Sequence, residues 1–348
     1  MLKLLMRKIV QDADSLEEGY TMKSRLLFFV MIFCALPGFA ADSAVPLKLM
    51  GSIPLPGIEG RIDHFTIDLR HKTIFVAALG ADTVIAVDLA HGKVLGSITG
   101  LKEPQGLLYV PDNGHLYIAN GGDGSVRIYD AGTLKQIKSI ELGHDADNMR
   151  YDPAAKTVWV GYGAGAMAAL DLDGNKLEDI PVGEHPEAFE LAHSSGMLFV
   201  NVPHRKQIAV VDRSAKQVIA TFGTGSATSN FPMAFDETNG RIFVACRTPA
   251  RLLVLDSTDG HIVADLDTAG DADDLFYDRA RHRVYVLGGA GFVAIYSQSS
   301  PNEYAEIFRF PTAPGGRTGL LIPQLNELVV AIPAKADQAA SVQIYQVQ

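Results

Sequence analysis

Counting back from seven similar apolar segments, one position in the chain reads Asp63, Gln105, Asp147, Glu187, Phe231, Asp273 and Thr318. The position after it adds His64, Asn148 and Asp274, and Arg61, Glu103, His185 and Arg317 lie just before it. Loops on the far side of the same segments add Asn120, Tyr162, His204 and Arg247. If these loops meet, the carboxylates of Asp63, Asp147, Glu187 and Asp273 make a hard-cation site. Calcium takes roughly 6–8 oxygen ligands, and related loops can supply them. Such a divalent ion would polarise an ester or lactone carbonyl, with His64 or a carboxylate as general base. Arg61, Arg247 and Arg317 would clamp a substrate carboxylate. The acidic position has a second reading, in which each carboxylate accepts backbone N–H groups or pairs with a neighbouring arginine as part of the repeat itself.

The elements that position these residues recur. The apolar segments begin at Thr73, His115, Thr157, Met197, Arg241, Arg283 and Glu327, spaced 42, 42, 40, 44, 42 and 44 residues apart. Each is followed by another β-rich run, Val84–Asp88, Val126–Asp130, Met167–Asp171, Ile208–Asp212, Leu252–Asp256, Val293–Ser297 and Val342–Gln346, of which five end in Asp before a polar turn. β-Branched and aromatic residues fill these runs without a 3.6-residue period, which excludes a helical solenoid. A period near 42 with four β-rich segments predicts an all-β, seven-bladed β-propeller of four antiparallel strands per blade. Six outer strands follow their blades. The seventh repeat ends at its third strand, and Leu47–Ile53 resembles the first outer strand, so the N-terminal strand is expected to complete the last blade.

Ile118-Ala119-Asn120-Gly121-Gly122-Asp123-Gly124-Ser125-Val126 resembles the repeat of the YVTN-type (YncE-like) bacterial propellers, and Pro186-Glu187 resembles the start of that family's blade. The resemblance spans residues 46–348 and implies an exported propeller with no assigned ligand. The family favours Glu at the acidic position, which supports the repeat reading of that site. A Gly-His…Trp-Asp signature is absent, and Trp159 is the one tryptophan.

Residues 1–40 read as a signal-peptide region. Lys23 and Arg25 precede the apolar run Leu26–Leu36, and Pro37-Gly38-Phe39-Ala40 offers small residues for cleavage after Ala40. Met22 is the expected true start, and a long n-region is the alternative. The run is too short for a span of about 20 residues, so the mature chain, 41–348, has no expected membrane span. Cys34 falls in this region, leaving Cys246 alone, so no internal disulfide forms, and Cys246 reads as a buried small residue. Without residues 1–40 the net charge is −11, which disfavours nucleic acid. No nucleophile elbow, zinc-helix motif or paired cysteine is present. Asp171-Leu172-Asp173-Gly174-Asn175 superficially resembles a calcium loop, but Val182 stands at its twelfth position, so it reads as a hairpin turn.

The function expected from the sequence is a periplasmic binding or interaction propeller. It would take a small polar ligand or cation at the channel mouth through Arg61, Asp63, His64, Gln105, Asn120, Asp147, Asn148, His185, Glu187, Arg247, Asp273, Asp274 and Arg317. A periplasmic protein is the other candidate partner, and a metal-dependent hydrolase of lactones or related esters is the alternative.

Overall fold

The computed structural model describes residues 45–348. The leader, cleavage and start-site readings lie outside the described residues. Among the described residues, twenty-eight strands form seven four-stranded antiparallel sheets arranged as a ring. In blade 1 the strands are Phe65–Asp68, Thr73–Ala78, Thr83–Asp88 and Lys93–Ile98, in that spatial order. The inner strands of blades 2 to 7 are Pro104–Val110, Ala146–Asp152, Phe189–Ala192, Thr228–Asp236, Ala272–Asp278 and Gly319–Ile322. Among the described residues no helix is long and apolar enough to cross a membrane.

The last sheet joins both ends of the ring. Leu47–Pro54 pairs antiparallel with Ser341–Val347, with Leu47 opposite Val347 and Ile53 opposite Val342. This sequence-expected closure converts two free strand edges into a ladder and removes the seam at which the ring would open.

Continuous apolar runs follow from burial on both faces. In Thr73–Ala78, Ile74, Val76 and Ala78 pack toward blade 7, while Phe75 and Ala77 pack toward blade 2. Side chains alternate across a strand, so adjacent residues serve opposite blade interfaces. Seven apolar clusters result, each shared by two neighbouring blades. Val200 and Val244 are completely buried in two of them. Cys246 is also completely buried, and burial pushes its thiol up to about 12, as suits a packing residue rather than a nucleophile.

Strand-end aspartates close the turns. Asp68 Oδ1 accepts the Arg70 and His71 amides at 3.0 and 3.2 Å. Asp171 Oδ1 accepts the amides of Asp173 and Asn175, so Asp171–Asn175 is the expected hairpin turn. Arg150 on the inner strand of blade 3 reaches across to Glu190 of blade 4 at 3.3 Å.

Candidate functional site

The inner strands line a central channel of about 360 Å3. At the end where the chain enters each blade, a smaller chamber of about 80 Å3 is lined by Gln105, Asp147, Glu187, Phe231 and Asp273, with Arg61, Arg247 and His64 beside them. Five of the seven aligned positions therefore converge. His64, Asn148, Ala188 and Asp273 line both spaces and so form the partition between mouth and channel.

Local backbone irregularity aims these side chains. In blades 2, 3, 5 and 6 the inner strand loses register between Pro104 and Leu107, Ala146 and Met149, Asn230 and Met233, and Ala272 and Asp274. Those bulges contain Gln105, Asp147, Phe231 and Asp273, and a bulge re-aims the residues it contains. Immediately before each bulge the chain turns through positive φ, at Glu103 (51°), Asp145 (48°), Ser229 (61°) and Asp271 (54°). Gly106 permits the closest approach: a Cβ there would lie 2.1 Å from the Asp147 carbonyl oxygen.

One side of the mouth is a guanidinium cluster. Asp273 receives Arg247 Nη2 at 2.5 Å, Arg317 Nε at 3.1 Å and Arg61 Nη2 at 3.2 Å. Arg317 Nη1 also lies 2.9 Å from both oxygens of Asp271, and the Arg247 guanidinium lies 4.0 Å from the centre of the Phe231 ring. Arg61, Arg247 and Arg317 are thus already paired. Burial and the Asp63 charge push the Asp273 carboxyl up, and Arg61 and Arg247 oppose them.

At the seam of the ring, His64 Nδ1 lies 3.1 Å from Asp274 Oδ1, while Asp274 Oδ2 accepts the Gly319 amide at 2.8 Å. Burial works to lower the His64 pKa, but Asp274 and Asp63 outweigh it and raise it well above the ordinary histidine value. These two carboxylates therefore favour the charged form of the His64 ring. Asp63 is completely buried and makes no hydrogen bond through its carboxylate; Arg61 Nη2 stands 3.0 Å away, off the hydrogen-bonding direction.

The other side is acidic and open. Asp147, His185 and Glu187 each offer one donor atom, and the three atoms lie within 4.8 Å of one another. Asp147 is 4% exposed, yet its Oδ1 is buried without a partner. Burial, reinforced by the Asp63 charge and opposed by His64, pushes its carboxyl up to about 6. Burial and the Asp147 and Asp273 charges push Glu187 well above its ordinary value. Both carboxyls therefore gain from an added positive charge in the chamber.

The sequence alignment grouped Asp63, Asp147, Glu187 and Asp273 as one oxygen set. The structure divides that set between two roles, with Asp273 held by three arginines, Asp63 beside Arg61, and Asp147 with Glu187 facing His185. Asn120 does not join them. It is completely buried, its Nδ2 donates to the Ile118 and Ser125 carbonyls, and its Oδ1 accepts the Lys102 amide. Two residues missed in the sequence belong to the site. Asp145 contacts Gln105 at 3.1 Å and His185 at 3.5 Å, and Asp271 braces Arg247 and Arg317. Both stand two residues before the ring position, the register of Arg61, Glu103 and His185, which was the available signal.

No protein-family profile matches this chain, and no curated protein matches it in sequence. Among solved structures it is similar to a Kuenenia stuttgartiensis hydrazine synthase chain, at 18% identity and TM-score 0.71, over 89% of this chain and 100% of that one. It is also similar to the WD40 repeats of RRP9, at 10% identity and TM-score 0.72, over 88% of this chain and 98% of that one. These likenesses show the fold alone. The second arises without the Gly-His…Trp-Asp signature, so the shared feature is blade architecture. The YVTN-type resemblance gains no support from a family or sequence match.

Proposed function

We propose that this chain is an exported periplasmic binding propeller that takes a small, positively charged polar ligand at the channel mouth. The observation that carries this reading is the Asp147 Oδ1, buried without a partner at the wall of the 80 Å3 chamber beside Glu187. A buried, unpaired carboxylate oxygen costs free energy that a bound cation relieves. Export follows from the leader-like residues 1–40, and the net charge is consistent with a cationic partner. A hydrolytic reading of the same chamber draws on Asp147, whose value of about 6 suits a general base near neutral pH. Turnover of lactones or esters, abolished in Asp147→Asn, would favour it.

The test of the binding reading is a thermal-shift panel of metal and organic cations on protein purified from the periplasm. A ligand of the proposed class raises the midpoint of the wild type, because binding to the folded state alone stabilises it. The same ligand leaves Asp147→Asn unshifted. No stabilisation by any cation, or equal stabilisation of both proteins, refutes the reading.

A further inference from the structure

We propose that the occupant of the mouth chamber is a divalent first-row transition ion such as Zn2+, Mn2+ or Fe2+, held by Asp147, His185 and Glu187. This inference rests on the reading of the chamber as a cation site and specifies its ligand chemistry. It differs from the calcium expectation in its donor set, because one of the three groups is an imidazole. Calcium is held by oxygen alone, whereas imidazole suits Zn, Fe and related ions, and carboxylates suit Mn.

The hydrogen bonding of the histidine leaves one ring nitrogen for this role. His185 Nδ1 lies 2.8 Å from the Gly163 carbonyl oxygen. A carbonyl only accepts, so Nδ1 carries the hydrogen and, in the neutral ring, the lone pair resides on Nε2. A metal-binding histidine that donates its other ring N–H to a backbone carbonyl is held in one tautomer and one orientation, and this support strengthens the ligand. Gly163 lies after the second strand of blade 3, Thr157–Tyr162, and His185 in the loop leading into blade 4. Asp147 stands on the inner strand of blade 3, so two adjacent blades provide the three donors.

The carboxylates are free to bind. The nearby arginines are engaged by Asp63, Asp271 and Asp273, and among the described residues none forms an ion pair with Asp147 or Glu187. Asp147 presents an oxygen that is buried and unpartnered, which distinguishes this triplet from a solvated acidic cluster. A second triplet, Asp256, Asp259 and His261, has comparable spacing but lies in an exposed hairpin turn. There Asp259 and His261 bond to one another and Asp256 to Arg241, so it serves as an internal control.

The experiment is isothermal titration of chelator-stripped protein with Zn2+, Mn2+ and Ca2+, with bound metal counted by elemental analysis. The expected result is one transition ion per chain, bound at least about tenfold more tightly than Ca2+, a gap of about 1.4 kcal/mol. His185→Gln and Asp147→Asn each weaken binding at least tenfold, while His261→Gln does not. Circular dichroism and the apo melting midpoint establish that each variant folds, and the wild-type ion preference needs no variant. Calcium binding as tightly as the transition ions, or no effect of His185→Gln, overturns the proposal and leaves the cation-site reading standing. So does capture of an organic cation, lost in Asp147→Asn, with no metal bound. Loss of binding in His261→Gln alone shows an adventitious surface ion and also overturns it. Absence of every cation removes both readings.

Discussion

Arg247 Nη2 lies 2.5 Å from Asp273 Oδ1, and the same guanidinium stacks on Phe231. Asp273 is therefore the post to which one wall of the mouth is fastened. Replacing it with Ala leaves Arg61, Arg247 and Arg317 facing one another. Breaking a fully buried pair costs about 3–5 kcal/mol; the arginines are partly exposed, so about 2–3 kcal/mol is expected here. Chemical denaturation of Asp273→Ala reads this directly, and a loss under about 0.5 kcal/mol, the usual effect of a surface substitution, would show that the cluster does not brace the mouth.

Gly106 sets the distance between blades 2 and 3 at the channel. A methyl group there would meet the Asp147 carbonyl oxygen at 2.1 Å, and both partners are backbone. Gly106→Ala is expected to cost at least about 2 kcal/mol by forcing the inner strands apart. It should also weaken any ligand that depends on Asp147. Wild-type stability with unchanged binding would contradict the close approach.

Arg150 and Glu190 make a pH-dependent pair inside the channel. Burial raises the Glu190 carboxyl and Arg150 counteracts it, with a net upward shift. A carboxyl raised in the folded state binds its proton before the unfolded chain does as pH falls. Its contribution to stability is therefore greatest at low pH and declines as pH rises from about 4.3, the unfolded glutamate value, through the folded value. Arg150→Met removes the opposing charge and widens this window. The variant should lose more stability relative to wild type at pH 8 than at pH 5, measured by denaturant unfolding at both. An equal loss at both values would show that Glu190 is not held by Arg150.

The fold was legible because each blade repeats a physical necessity. A strand buried on both faces must be apolar throughout, as Ile74–Ala78 is, and the turn after the third strand needs an Asp to accept free amides, as Asp88 and Asp171 do. Those demands recur with the period of the blade, so strand starts at Thr73, His115 and Arg283 could be read directly. The site was legible only as a level in the ring. Which carboxylates face arginines and which remain open depends on inner-strand bulges and on contacts between blades far apart in sequence. Arg61 meets Asp273 across 212 residues, and no local pattern encodes that meeting. Asn120 failed for the opposite reason: its amide is used up locally, by Ile118, Ser125 and Lys102 of its own blade.

The pairing of Leu47 with Val347 sets an order of events for the growing chain. Six sheets are assembled from strands consecutive in sequence and can complete as each emerges. The remaining sheet takes its outermost strand from the earliest described segment and its neighbour from the latest. Leu47–Pro54 therefore gains its sheet partner only when Ser341–Val347 is in place.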